Sequence, residues 1–562
     1  MSDRDSETGG QLSIEATESS PLLIPNAEQS SSKPKVQYET TVVAASSGSS
    51  ESGSVEEGAV EESSLATKSV FGIISVFMSN ADGTLVLATY GTVSSEFGAF
   101  DSASWLTTSY SLAAAALQPL AGKLSDIYGR KGIIIISYTL FTIGALVTGT
   151  AQSMWQIIAG RILGGFGAAG MTVLVSVLIT DLVPLIQVAA WRSYVNIVAT
   201  TGRSIGGPLG GFLADTVGWR WSFIAQGPVM LVAIALVALK LPNETSTKGS
   251  PIQIKGQPSK LRRIDFVGAF LVALTISSLL GALSLGGQNL PWSHPIVIGL
   301  GVSSIILGGI FVTYEVKYAL EPVFPPLLLL RRDVATSYAV AALQGAAQLG
   351  MMFSVPLYFQ VTQEASIAQA GSYLFPAVLG NTVGTIIAGI VIQKTGRYKW
   401  LATLATTASS LSYLTLILRW KGKISVFEAL EIIPSGFGTG MVQATAFIAL
   451  TSSLEHKEIA MATSGMYLTT SIGMVTGIAV SSAVQQGGLR SLLLKALKGP
   501  ESKKIIERVV SDVSSIPKLD SAVRKIVVAS YVKSLEYTHM VSLCCSLTAL
   551  AISLAIKEHP LK

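Results

Sequence analysis

The chain has 562 residues, 49% of them hydrophobic and 13% charged, with a formal net charge of +5 and a mean hydropathy of +0.54. So little polar surface cannot enclose a water-soluble core of this size, and the chain's surroundings must be lipid. Its basic residues fall in short clusters between apolar runs rather than on one face, which excludes nucleic acid as an expected partner.

Taken in chain order, residues 1–68 are rich in Ser, Glu and Gly and poor in aromatics. Such a composition buries too little apolar surface to fold, so a disordered cytosolic tail is expected, with no cleavable signal peptide. Within it, Glu18-Ser19-Ser20-Pro21-Leu22-Leu23 fits an acidic dileucine sorting signal. Glu18, Leu22 and Leu23 would then be read by an adaptor coat. From Val70 onward, apolar stretches long enough to span a bilayer, about 20 residues each, begin near Val70, Ala103, Ile133, Trp155, Ser193, Phe223, Phe266, Pro295, Ala335, Ala368, Trp400, Phe427, Met461 and Thr538. The chain is therefore expected to be an all-α membrane protein with about 14 spanning helices.

The turn between the second and third stretches reads Gly122-Lys123-Leu124-Ser125-Asp126-Ile127-Tyr128-Gly129-Arg130-Lys131. A related segment returns as Gly389 through Lys399, with the same interval between its two glycines and Gln393 where Asp126 stood. The turn resembles the loop signature of the major facilitator superfamily of secondary transporters, and the echo suggests two homologous halves. The resemblance implies two pseudo-repeated six-helix halves, at 69–241 and 334–562, separated by a linker and two extra helices at 242–333. Gly122, Asp126, Gly129 and Arg130 are carried over as a latch between the halves that favours the conformation open away from the cytosol. Asp126 is expected to accept hydrogen bonds from the exposed amides at a neighbouring helix N-terminus.

Basic residues mark the sides. Lys123, Arg130, Lys131, Arg192, Lys317, Arg331, Arg332, Lys394, Arg397 and Lys399 fall in loops of one parity. That side is expected to be cytosolic, with both termini on it. The segment 487–537 then becomes a long loop on the far side, in which Ile505, Val509, Val510 and Val513 are spaced for an amphipathic helix on the bilayer surface or for a merely solvated loop. Cys544 and Cys545 adjoin within the last apolar run and are read as packing residues.

Charges inside the spans carry the functional reading. Gly160-Arg161-Ile162-Leu163-Gly164 sets an arginine among small residues, where it needs a partner or water, because burial in lipid costs at least about 2.5 kcal/mol. It resembles the superfamily's fourth-helix motif, whose arginine is associated with proton coupling. Gly206-Gly207-Pro208-Leu209-Gly210-Gly211 resembles the fifth-helix motif of antiporters, with Pro208 one place later than usual and Arg203 where a small residue is customary. Trp219 and Trp221 in the following turn suit a membrane boundary. Met78-Ser79-Asn80-Ala81-Asp82 places a carboxylate deep in the first span and resembles the first-helix motif of the 14-helix drug:proton antiporter branch. Asp82, beside Arg161 or Arg203, is expected either to load and release a proton or to remain a permanently ionised partner of Arg203.

In the second half, Gln344, Gln348, Tyr358 and Gln360 are candidates for the cavity wall, set against the commoner role of hydrogen bonding between helices. Glu364, Glu428 and Glu431 are expected near the far side. No phosphate-cradling loop, metal-ligand cluster or nucleophile with its base occurs, so no enzyme activity, cofactor or metal is expected. Within the branch, the fifth-helix glycines together with Gly218-Trp219-Arg220 look most like fungal vacuolar transporters of basic amino acids. That resemblance implies proton antiport of lysine, histidine and arginine into the vacuole, with protons, membrane lipid and an adaptor coat as partners. The alternatives are a plasma-membrane exporter of drugs or siderophores, and a non-transporting nutrient sensor. Two deep arginines against one aspartate fit a cationic substrate poorly.

Overall fold

The computed structural model describes residues 72–89, 92–94, 96–97, 105–241, 265–286, 290–319, 322–324, 326–365, 367–422, 426–497, 502–511 and 513–561. Glu18, Leu22 and Leu23 lie outside the described residues.

Apolar runs with few charges become helices because only intrahelical bonding satisfies the backbone in lipid. By length and composition, 12 helices among the described residues can cross a membrane. They are α1 (Gly72–Thr89), α3 (Arg130–Thr150), α4 (Met154–Leu182), α6 (Trp219–Lys240), α7 (Phe266–Leu285), α8 (Pro295–Lys317), α9 (Arg332–Gln363), α10 (Gln369–Thr395), α11 (Lys399–Arg419), α12 (Phe427–Ser452), α13 (His456–Ala496) and α15 (Ser521–Ser553). Two further long helices, α2 (Trp105–Tyr128) and α5 (Leu185–Thr216), lie between them. They are less apolar because they carry the signature turn's charges and the cavity's arginines. A short helix α14 (Ser502–Ser511) follows α13.

In the first half α4 packs against α2 and α3, and α3 against α6; in the second, α9 packs on α13 and α15, α10 on α12, and α11 on α12 and α15. The extra helices α7 and α8 pack on each other, and α7 also touches α2 and α13, so the pair stands beside the seam between the halves. The seam itself is formed chiefly by α5 with α10 and by α2 with α13. The internal echo is structural. Gly122 faces Ala460 and Ser464, while Gly389 faces Ala189, Ala190 and Ser193, so each glycine admits a helix of the opposite half. Gly129 and Gly396, the second glycine of each segment, have φ of 89° and 66°, a left-handed conformation that a side chain would strain.

Several boundaries differ from expectation. Helix α5 starts at Leu185, which places Arg192 in the seam rather than in a loop. Of the segment 487–537, the first part belongs to α13, which runs to Ala496, and the last to α15, which begins at Ser521. The amphipathic helix is present as α14, but its apolar side is not left for the bilayer surface. Ile506 and Val509 are buried with Val361, Leu489, Leu493 and Val527, because the extended ends of α9, α13 and α15 offer them protein instead of lipid. Trp219 is likewise buried, against Phe97 and Phe223, and only Trp221 of that pair is exposed.

Candidate functional site: a central cavity closed on one face

The halves meet on the face that carries the Gly122–Lys131 turn. A Cβ on Gly122 would stand 2.9 Å from the Ala460 carbonyl oxygen and 3.0 Å from Ser464 Oγ, so α2 and α13 touch through backbone. Ser193 Oγ donates to the Thr385 carbonyl at 2.7 Å, and Asn196 Nδ2 to Asn381 Oδ1 and Thr385 Oγ1, each at 2.8 Å. Asp181 at the end of α4 pairs with His456 Nε2 at 3.3 Å across the seam. Arg130 ties this contact to the signature turn, reaching Asp181 at 2.9 Å and Asp126 at 2.5 Å. Asp126 therefore serves Arg130 within its own half. The carboxylate that reaches the opposite half is Asp181, which lies 3.3 Å from His456 at the start of α13.

Behind this closure lies a cavity of about 240 Å³ lined from both halves by α1, α2, α4, α5, α9, α10, α12 and α13. Its wall includes Asn80, Arg192, Asn196, Arg203, Gln443 and Tyr467. At the closed end the Arg192 guanidinium lies 3.6 Å from the centre of the Phe447 ring and donates to Ser176 Oγ at 3.1 Å and Tyr467 Oη at 3.3 Å. Farther along α5, Arg203 is exposed and donates to Asn80 Oδ1 at 3.1 Å. Among the described residues of the wall there is no aspartate or glutamate, so its fixed charge is positive.

Asp82 is not part of that wall. Two positions beyond the cavity-facing Asn80, it turns into the first half, where it is 1% exposed and pairs with the 4%-exposed Arg161 at 2.7 Å. Gln226 Nε2 donates to its other oxygen at 3.1 Å. Arg161 also donates to the Leu106 carbonyl at 2.9 Å and lies 4.2 Å from the centre of the Tyr110 ring. Asp82 and Gln226 border an apolar crevice between α1, α5 and α6. Asp82 and Arg203, expected as possible partners, are held apart because residues 80 and 82 leave α1 on different sides.

In the fifth-helix motif, Gly206 and Gly210 press on Ala81, Thr84 and Leu85 of α1, and Gly202 extends the same row toward Phe77. Gly207 and Gly211 leave space for a Cβ, and Pro208 is exposed. Gln344 donates to Ser409 Oγ at 2.7 Å and Thr439 Oγ1 at 3.1 Å, and Gln348 accepts from Thr439 at 3.0 Å. Both glutamines thus join α9 to α11 and α12 inside the second half rather than facing the cavity. Tyr358 Oη accepts the Gly422 amide at 2.8 Å and packs on Trp420, while Gln360 is partly buried on the same helix and absent from the described cavity wall. Glu428 and Glu431 pair with Arg419 at 3.2 and 3.0 Å, and Glu364 pairs with Arg524. Beyond the spans, hydrogen bonds from Arg220 and Trp219 hold the Glu96 carboxyl below its usual range. No His/Cys/Asp/Glu group that could hold a metal occurs among the described residues.

The family profile of the Major Facilitator Superfamily matches residues 72–478, from the first described helix into α13. The chain belongs to the major facilitator superfamily. It is 30% identical to the vacuolar membrane amino acid uptake transporter fnx2 of Schizosaccharomyces pombe, over 87% of this chain and 84% of that one. It is also 30% identical to the multidrug resistance protein fnx1 of the same yeast, over 86% and 90%. The vacuolar basic amino acid transporter 2 of Saccharomyces cerevisiae is 29% identical over 80% and 96%. The protein is thus a multi-pass membrane transporter of the superfamily, not an enzyme.

Of the residues that motif reading named for the cavity, Asn80 and Arg203 line its wall, whereas Asp82, Arg161, Gln344, Gln348, Tyr358 and Gln360 do not; Asp82, left between Arg161 and Arg203, meets Arg161, and Asn196, Asn381, Thr385, Tyr467 and Asp181 were missed. Those residues were passed over because each is a single polar residue in an apolar run. The available signal was helical spacing: Arg192, Asn196 and Arg203 recur on one face of α5.

Proposed function

We propose that the protein is a proton-coupled carrier that moves basic amino acids into the vacuole by alternating access. The carrying observation is a mid-depth cavity lined by both halves and closed by the Gly122–Ala460 and Asp181–His456 contacts on the face of the signature turn. The basic clusters Lys123–Lys131 and Lys394–Lys399 support a cytosolic location for that face, and on this reading the conformation belongs to the stage at which the cytosolic gate is shut. Reopening requires Gly122 and Gly389 to part from the helices they face.

Asp82 supplies the element that a proton can switch. Protonation removes the charge that neutralises Arg161 and frees it to adopt another partner, which alters how α1 and α4 pack. The names of the vacuolar relatives support the compartment and the amino acid class. Uptake of labelled lysine, histidine and arginine by vacuolar vesicles from cells with and without the protein tests the reading. Equal uptake in both, with proper protein abundance in the membrane, overturns it.

A second reading has a specific observation behind it. A wall bearing Arg192 and Arg203 without an acid repels a cation and suits an exporter of carboxylated compounds; the relative fnx1 is named a multidrug resistance protein. Uptake of carboxylate-bearing drugs by the same vesicles, without any amino acid transport, would favour it.

A further inference from the structure

We propose that Arg203, with Asn80 beside it, is the recognition point for an anionic group of the substrate, a carboxylate if the substrate is an amino acid, and that Arg192 at the closed end is the point from which this group passes to it. The inference deepens the proposed transport reading and rests on it for the identity of the substrate. A guanidinium has five N–H donors in a fixed fork. Arg203 spends one bond on Asn80. Arg192 uses one terminal nitrogen for Ser176 and Tyr467, and its guanidinium lies over the Phe447 ring. Neither has an acidic partner among the described residues, in contrast to Arg130, Arg161, Arg220 and Arg419, each of which is paired with a carboxylate.

An arginine left without a counter-ion at mid-depth of a membrane protein is costly, and a bound anion is the group that would relieve it through charge-assisted bonds. The two arginines lie on one face of α5, about three turns or about 16 Å apart, too far for one small carboxylate to bridge. They therefore act in succession. Arg192 stands at the closed end, which a ligand from the cytosol meets first when the gate opens, and Arg203 lies beyond it in the exposed part of the cavity. Arg192 holds the floor, and its contacts to Phe447 and Tyr467 belong to the opposite half. An anion arriving at Arg192 offers it new bonds as those across the seam break, so substrate and gate share one side chain.

The test uses the full-length protein in proteoliposomes with lysine and with cadaverine, which keeps both amines and lacks the carboxylate. Lysine uptake that cadaverine does not inhibit, a rise in the KM for lysine of about 10- to 100-fold in Arg203→Gln, and partial recovery in Arg203→Lys are expected. Cadaverine competing as well as lysine, in a protein that does transport lysine, overturns the anion site and leaves the transport reading intact. If the wild-type protein moves no amino acid, thermal stabilisation of the purified protein by succinate, present in wild type and lost in Arg203→Gln, supports the anion site while the amino acid reading fails. No stabilisation by succinate in that case overturns both. Monodisperse elution of Arg203→Gln and Arg203→Lys separates loss of the site from loss of the fold.

Discussion

Replacing Asp82 by asparagine isolates the deepest acid of the first half. Both partners of the Asp82–Arg161 pair are almost fully enclosed, and removing one charge from a buried pair costs about 3–5 kcal/mol because the other is left uncompensated. The amide oxygen of asparagine still accepts from Arg161, which also keeps the Leu106 carbonyl and the Tyr110 ring. The expected loss is therefore nearer the value of a hydrogen bond to a charged group, about 1.5–3 kcal/mol. Thermal denaturation of the purified protein should show this as a lowered midpoint, and Arg161→Gln in the same chain should restore part of it by removing the unpaired cation. In vesicles with an imposed proton gradient, correctly inserted Asp82→Asn should bind substrate and exchange it, yet fail to accumulate it. Unchanged stability together with wild-type gradient-driven accumulation would refute both the buried pair and its place in coupling.

Three other perturbations probe the gate and the far side. Gly122→Val places branched carbons against the Ala460 carbonyl, so distance measurements between spin labels on the ends of α2 and α13 nearest this contact should show those ends several ångströms farther apart; an unchanged distance would refute the backbone contact. Asp181→Asn breaks the pairs with Arg130 and His456, and should raise labelling of a cysteine introduced at Ser464 by a water-soluble maleimide, whereas Asp126→Asn should do so less. At Glu96 the Arg220 bond depresses the carboxyl, so its stabilising effect is present above the unfolded carboxylate's range and is lost only as pH falls through the lower folded value. Accordingly, the difference in thermal midpoint between wild type and Glu96→Gln should stay constant from pH 7 to about pH 5; a difference that disappears within that interval would contradict the depressed carboxyl.

The fold was legible where lipid leaves the backbone a single solution. Length and hydropathy place the helices, and the glycine interval from Gly122 to Gly129, repeated from Gly389 to Gly396, reveals the duplicated halves. Helix ends were less legible, since Arg192 reads as a loop charge and Gly487 as the start of a loop, whereas both lie inside helices, α5 and α13. Partner choice was least legible. Asp82 lies near both Arg161 and Arg203 in any list of deep charges, and only the direction in which residues 80 and 82 leave α1 assigns one arginine to the aspartate and the other to the cavity. Asp126 and Asp181 show the same limit, since the signature motif marks the first, and the distance to His456 selects the second.

Proton-driven movement of basic amino acids through the cavity between the halves is tested by ATP-energised uptake of labelled lysine, histidine and arginine into vacuolar vesicles isolated from cells that have or lack the protein, with and without a protonophore. Uptake is expected to require the protein and to collapse on adding the protonophore. Protein-dependent uptake that persists with the gradient dissipated would contradict proton coupling, and uptake unaffected by deletion of the protein would contradict the substrate assignment.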